Sequence, residues 1–164
     1  MADQPLLKVM RQLIGIHDSL LQVSVRKSEL LKANDMEAIN ELLKIEQKHV
    51  QALEKLERLR QVETKQLAKT LAIEEDAPSV SLLIERLPEE QVKQDLEAEA
   101  TQLAALILAI KQQEDLNQQL LKQSLQFVQL QMDLVKPTID SFNYGTQKQA
   151  HDPEQKRSVF DSKA

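Results

Sequence analysis

The chain contains three long segments that are free of proline and carry apolar residues at intervals of three and four positions. Its 164 residues include only five prolines, and each of these lies where a periodic segment begins or ends. The three-and-four spacing places apolar side chains on one face of an α-helix. A proline inside such a helix would remove a hydrogen bond and clash with the preceding turn. The pattern therefore predicts an all-α fold.

The prolines and the periodicity together divide the chain into helices. We predict helices at about residues 5–33, 35–72, 80–86 and 88–135. The connection near residue 34 is so short that the first two helices should form an antiparallel hairpin. Asn34 and Glu37 fit a capping box for the second helix, and Ser79 fits a cap for the short one.

The last long helix is expected to end before Pro137, and a polar segment follows it. These boundaries predict an elongated antiparallel helical hairpin within a three-helix, coiled-coil-like bundle. Residues 1–135 would form the bundle domain, and residues 136–164 would form a flexible C-terminal tail.

Composition excludes several classes of protein. The chain has no cysteine, which excludes disulfide scaffolds and cysteine-based metal sites. Its net charge is −5, and no basic block exceeds the pair at residues 156–157, so we predict no nucleic-acid binding. The longest apolar run, about residues 103–110, is too short to span a membrane, and no signal peptide is recognisable. We therefore expect a cytoplasmic protein without membrane insertion.

No motif in the sequence predicts catalysis. His17 and His49 fall on the two helices of the hairpin, and neither of them belongs to a His-x-x-x-His pair of metal ligands. A half-buried polar position is the favoured interpretation of both. The chain also lacks a glycine-rich phosphate loop and a nucleophile elbow. We therefore predict that the protein is not an enzyme and has no cofactor and no metal site.

Polar residues interrupt the apolar stripe of the last helix at Glu114, Asn117 and Ser124. One interpretation is that a buried Asn specifies the register of helix packing. The other is a weakly packed segment that can exchange partners. The sequence leaves both open.

All four aromatic residues lie in the last quarter of the chain, at Phe127, Phe142, Tyr144 and Phe160. Aromatic side chains dominate interface energies, so their concentration at a polar end favours anchors for a partner. The alternative is that Phe127 packs in the bundle and the others fold back onto it. For Phe127 alone, packing in the bundle is the favoured interpretation.

Helical segments rich in Leu, Glu, Lys and Gln and an Asn-Tyr-Gly sequence near the C-terminus together resemble the FlgN-type flagellar export chaperones of Bacillus-type bacteria. The segment KIEQKHVQALEKLERLR at residues 44–60 is similar to part of the family's opening hairpin, and LNQQLLKQSLQFVQLQMDL at residues 116–134 is similar to its later helix. The Asn-Tyr-Gly sequence at residues 143–145 resembles the Tyr-Gly element of the family, and the terminal FDSKA resembles the end of Bacillus-type members.

This resemblance implies a cytoplasmic chaperone that binds hook-associated proteins, the subunits of the hook–filament junction, and delivers them to the flagellar export gate. It places the partner-binding residues in the last helix and tail, at Phe127, Val128, Met132, Val135, Ile139, Phe142 and Tyr144. A chaperone of this kind would be a monomer or a weak homodimer. The rival hypothesis is a structural coiled-coil protein that self-associates, and an enzyme is the third.

Overall fold

A computed structural model describes the backbone of residues 4–151 and the burial of side chains in residues 5–136. The described backbone contains four helices and no strand. The helices are α1 (Gln4–Ala33), α2 (Met36–Thr70), α3 (Val80–Arg86) and α4 (Glu90–His151). The predicted all-α class is confirmed, and the first three helices begin and end within two residues of their predicted bounds.

The turn between α1 and α2 has two polar residues with separate roles. Asn34 adopts a left-handed backbone conformation, with φ of 55°. Its N–H donates to the Leu31 carbonyl, and the N–H of Asp35 donates to the Leu30 carbonyl, which is the Schellman arrangement that ends a helix. Asp35 then caps α2, because its carboxylate accepts from the N–H of Ala38 at 3.1 Å. The predicted capping box at Asn34 is therefore wrong, since Asn34 ends α1 and its neighbour caps α2.

The end of α2 uses the same motif with a less suitable residue. Ala72 has φ of 54°, and the N–H of Ile73 donates to the Ala68 carbonyl at 2.9 Å. The left-handed backbone conformation is strained for a residue with a Cβ atom such as alanine. The chain then reaches α3, where the Ser79 hydroxyl accepts from the N–H of Leu82 at 3.1 Å and confirms the predicted cap.

The chain divides into two compact units, Met1–Leu121 and Lys122–Ala164. In the first unit, the start of α1 packs beside the end of α2, so the hairpin is antiparallel as predicted. The larger core draws residues from α1, α2, α3 and the start of α4, including Leu6, Met10, Leu13, Leu67, Leu83 and Leu96. A smaller core at the hairpin turn contains Leu30, Leu31 and Ile39, with Leu120 packed against it. Side chains of α4 thus contribute to both cores.

The last helix does not end where the sequence predicted. The predicted helix ends at residue 135 and the predicted tail begins at residue 136, whereas α4 continues through Pro137 to His151. Nearly all side chains from Lys122 to Lys136 are exposed. A backbone carbonyl that loses its partner at a proline can therefore bond water, which reduces the cost of continuing the helix. Residues 152–164 of the predicted tail lie outside the described residues.

None of the helices in the described part of the chain is long and apolar enough to cross a membrane.

Candidate functional site

The second unit presents an exposed apolar segment at residues 122–136 of α4. Seven large apolar side chains in this segment each retain between 45% and 71% of their exposed area: Leu125, Phe127, Val128, Leu130, Met132, Leu134 and Val135. Only three charged residues accompany them, Lys122, Asp133 and Lys136. Such a density of exposed apolar side chains marks an interaction surface more often than a solvated helix face.

These seven side chains form two rows along the helix. The first row consists of Leu125, Val128, Met132 and Val135, at steps of three, four and three residues. The second row consists of Phe127, Leu130 and Leu134, at steps of three and four. At about 100° per residue, the two rows are centred about 150° apart around the helix axis. A partner that covers one row therefore leaves the other row in water.

The predicted site residues are distributed unevenly between the rows. Val128, Met132 and Val135 share the first row, whereas Phe127 lies on the second row with no other predicted residue. Phe127 is also 60% exposed, so the expectation that it packs in the bundle is wrong. Ile139, Phe142 and Tyr144 belong to the helical backbone of α4, but their side chains lie outside the described residues.

Sequence reasoning missed three apolar residues of this surface: Leu125, Leu130 and Leu134. Their exposures are 62%, 58% and 71%. Leu130 and Leu134 fall outside the apolar stripe assigned to the last helix, and angular position around the helix would have identified them as a second row. Leu125 lies within the predicted bundle domain, residues 1–135, and spacing alone does not show where an apolar stripe stops being covered.

A cluster of hydrogen-bonded polar side chains joins three helices in the first unit. We call it the polar layer, and it consists of Ser24, Lys27, Glu46, Glu114 and Asn117. The Lys27 ammonium lies 2.7 Å from a carboxylate oxygen of Glu46 and 3.1 Å from one of Glu114. The Ser24 hydroxyl donates to the same Glu114 oxygen at 2.5 Å. The Asn117 amide donates to the Ser24 carbonyl at 2.8 Å.

The polar layer decides between the two interpretations of Glu114 and Asn117. Asn117 is only 3% exposed, and no buried side-chain nitrogen or oxygen among the described residues lacks a partner. Sliding α4 along the hairpin would break these bonds and leave buried polar atoms unpaired, which is costly. The arrangement therefore supports register specification. Ser124 lies in the second unit and takes no part in it.

The electrostatics of Lys27 follow from its two neighbours. Partial burial disfavours its charged form, but the hydrogen bonds and charges of Glu46 and Glu114 outweigh that effect and raise the pKa of Lys27. On the surface of α2, the hydrogen bond from Arg60 lowers the pKa of the Glu57 carboxyl. Both shifts arise from ion pairs and not from a cleft, so neither resembles an acid–base site.

The two hairpin histidines do not meet. His17 Nδ1 lies 2.7 Å from the carbonyl of Leu13, and His49 Nδ1 lies 2.8 Å from the carbonyl of Ile45, so each imidazole bonds to its own helix. Within the described residues, no three histidine or carboxylate side chains come together in a way that could hold a metal ion.

Comparison with known proteins gives the family. The family model described as FlgN protein matches residues 1–152. The uncharacterized protein YvyG of Bacillus subtilis (strain 168) is 29% identical over 165 residues, which cover the whole of both chains. No solved structure matches the chain. Because the family match includes both the helical bundle and the exposed apolar segment, the chain belongs to the FlgN family of flagellar export chaperones.

Proposed function

We propose that the chain is a cytoplasmic chaperone that binds hook-associated proteins and delivers them to the flagellar export gate. Family membership supports the chaperone class and its place in flagellar biogenesis. The observation that supports a binding site for the cargo is the exposed apolar segment at residues 122–136. Its seven apolar side chains have no reason to face water on a solvated helix, whereas a partner's amphipathic helix would cover them.

The proposed mechanism separates a scaffold from a binding surface. The first unit has two apolar cores and a polar layer that supports its register, and its exposed large apolar side chains are spread along the helices. The first row of the exposed segment, together with the later residues Ile139, Phe142 and Tyr144, would bury apolar side chains of the cargo during storage. An interface of such limited length is expected to release its cargo readily at the gate.

Calorimetric titration of the full-length chain with a hook–filament junction protein tests this proposal. We expect Val128→Gln together with Met132→Gln to weaken binding at least tenfold, because each loses apolar contact area. Leu108→Gln is the matched control, since Leu108 is 55% exposed but lies in the first unit. Equal affinities of both variants and the unmodified chain would contradict the proposed site.

The residues beyond Val135 need a separate variant. We expect Ile139→Gln, Phe142→Gln and Tyr144→Ala, combined in one chain, to weaken binding of the same cargo, with Gln147→Ala as the control. Unchanged affinity in the triple variant would confine the binding surface to residues 122–136.

The rival function is structural self-association, which the three-and-four spacing of the first row favours. It predicts an oligomer whose mass stays constant on dilution and on addition of cargo. The chaperone proposal predicts a monomer or a weak dimer that forms a complex with the cargo. Light scattering with and without the hook–filament junction protein distinguishes the two functions.

A further inference from the structure

The second row introduces apolar side chains at a helical phase that is polar earlier in α4. By sequence spacing, the same phase holds Ala98, Thr101, Ala105 and Gln112, all exposed and either small or polar. Leu116 is the first large apolar residue at this phase, and Phe127, Leu130 and Leu134 follow it. A helix face that stays in contact with water does not require large apolar side chains. Binding of a partner to the first row alone therefore does not explain the second row.

The charges of the segment avoid both rows. Lys122, Asp133 and Lys136 all fall within a sector of about 60° at about 100° per residue. On one side the uncharged Ser124 and Gln131 separate the two rows. Gln123 shares the phase of the second row, and Gln126 lies between that row and the charged sector. The sector of the helix surface that contains both rows spans about 220°. This is roughly twice the ~100° apolar stripe of a helix that packs against a single neighbouring structure. A single partner helix is therefore too narrow to cover both rows.

The first row lies at the same helical phase as an interface that two other helices already cover. In the first unit, the positions Leu96, Leu103, Ile110 and Asn117 follow one another at steps of seven, and Leu96 and Asn117 are buried. The helices that pack against this seam include α1 and α2, because the core that contains Leu96 also contains Leu13 of α1 and Leu67 of α2. Further steps of seven would reach Ser124 and Gln131. At about 100° per residue, however, the seam lies at the helical phase of the first row, Leu125, Val128, Met132 and Val135, so these residues suit a helical cover.

A second copy of the chain is a poor candidate for covering both rows. A two-fold dimer uses the same patch on both copies, and that arrangement would bury one row and leave the other exposed. If each row bound a different copy, the contacts would be head-to-tail and would build an open-ended assembly. Two unrelated partner chains would each bury a short row, well below the area of a stable interface.

We propose that one hook-associated subunit supplies two amphipathic helices, one against each row, so that residues 122–136 lie between them as the central helix of three. This inference rests on the proposed function and specifies the form of the cargo. It also gives Phe127, Leu130 and Leu134 a role in binding that the first row alone would not require.

Thiol labelling tests the inference in the full-length chain. The sequence has no cysteine, so Val128→Cys, Leu130→Cys and Asp133→Cys each provide a single reactive site on the first row, the second row and the charged sector. Alkylation of each site is followed by mass spectrometry with and without a full-length hook–filament junction protein. We expect alkylation to slow at least tenfold at positions 128 and 130 and to change less than about twofold at position 133, because a covering helix excludes the reagent.

The affinity measurement provides an independent readout. We expect Phe127→Gln with Leu130→Gln to weaken binding about tenfold or more, and the unmodified complex to have one-to-one stoichiometry in calorimetry. The control pair, Gln126→Ala with Gln129→Ala, changes neither row and should leave the affinity unchanged.

The outcomes separate this inference from the proposed function. Protection at position 128 with full reactivity at position 130 would overturn the two-helix cover and leave the chaperone function standing. Protection at position 130 that appears without cargo as the protein concentration rises would identify a second copy as the cover and overturn the inference. Failure of the unmodified chain to bind the junction protein would refute the proposed function, and the inference with it.

Discussion

Replacing Lys27 with Met is the most direct test of the polar layer. Lys27 is the only positive charge there, and its ammonium lies within 3.1 Å of carboxylate oxygens from both Glu46 and Glu114. Methionine keeps an unbranched chain and a good helix propensity. The substitution therefore removes the charge and leaves two partly buried carboxylates without a counterion.

The expected loss of stability follows from how deeply the three side chains are buried. Lys27, Glu46 and Glu114 retain 13%, 22% and 35% of their side-chain exposure. Exposed ion pairs contribute about 0–1 kcal/mol, and breaking a fully buried pair costs about 3–5 kcal/mol. The polar layer lies between these limits, so we expect Lys27→Met to lower the free energy of unfolding by about 2 kcal/mol.

Urea unfolding followed by circular dichroism measures this change. Lys44→Met is the matched control, because Lys44 forms the same kind of pair with Glu41 at 2.7 Å but both side chains are about two-thirds exposed. The control should lose no more than about 0.5 kcal/mol. Adding Glu114→Gln to Lys27→Met should recover part of the loss, since it removes one uncompensated charge. If Lys27→Met costs no more than Lys44→Met, the polar layer does not stabilise the bundle.

Three further predictions concern the first unit. Ala72→Gly should raise the free energy of unfolding by about 0.5–1 kcal/mol, because glycine adopts the left-handed conformation of residue 72 without strain; a lower value in urea unfolding would contradict this. Leu83→Ala should lower it by about 2–5 kcal/mol, because Leu83 is fully buried, whereas Leu108→Ala at an exposed position should cost under about 1 kcal/mol in the same assay. The raised pKa of Lys27 means that its contribution is fully present below the pKa of an unfolded lysine, about 10.4, and is lost as pH rises through the higher folded value. Unfolding measured between about pH 9 and about pH 11 should therefore show a smaller stability gap between the unmodified chain and Lys27→Met at the alkaline end, and a constant gap would refute the pKa shift.

The local features of the fold were predictable because each depends on neighbours in sequence. The all-α class follows from apolar spacing and the positions of the prolines. The antiparallel hairpin follows from a connection of two or three residues, and the Ser79 cap follows from the chemistry of its side chain. The assignment of the turn cap to Asn34 failed because Asn suits both a helix cap and a left-handed terminator, and local chemistry alone does not choose between them.

The end of α4 was mispredicted for a different reason. A proline is a strong local signal for termination, but its cost depends on whether the freed carbonyl can reach water. The exposure of the residues that lead up to it supplies that information, and exposure is a property of the folded chain. The burial of Phe127 was mispredicted for the same reason. The position of an aromatic residue in the sequence does not show whether another helix covers its side chain.

The sequence by itself determined that this protein is helical, that it folds back at residue 34, and that its last helix carries apolar residues as far as residue 135. Only the tertiary structure decided which of those residues are covered and which are free. It also decided that Lys27, Glu46 and Glu114, far apart in the chain, meet in one polar layer. Periodicity records the angle at which a side chain leaves its helix, whereas burial depends on the other helices that pack there.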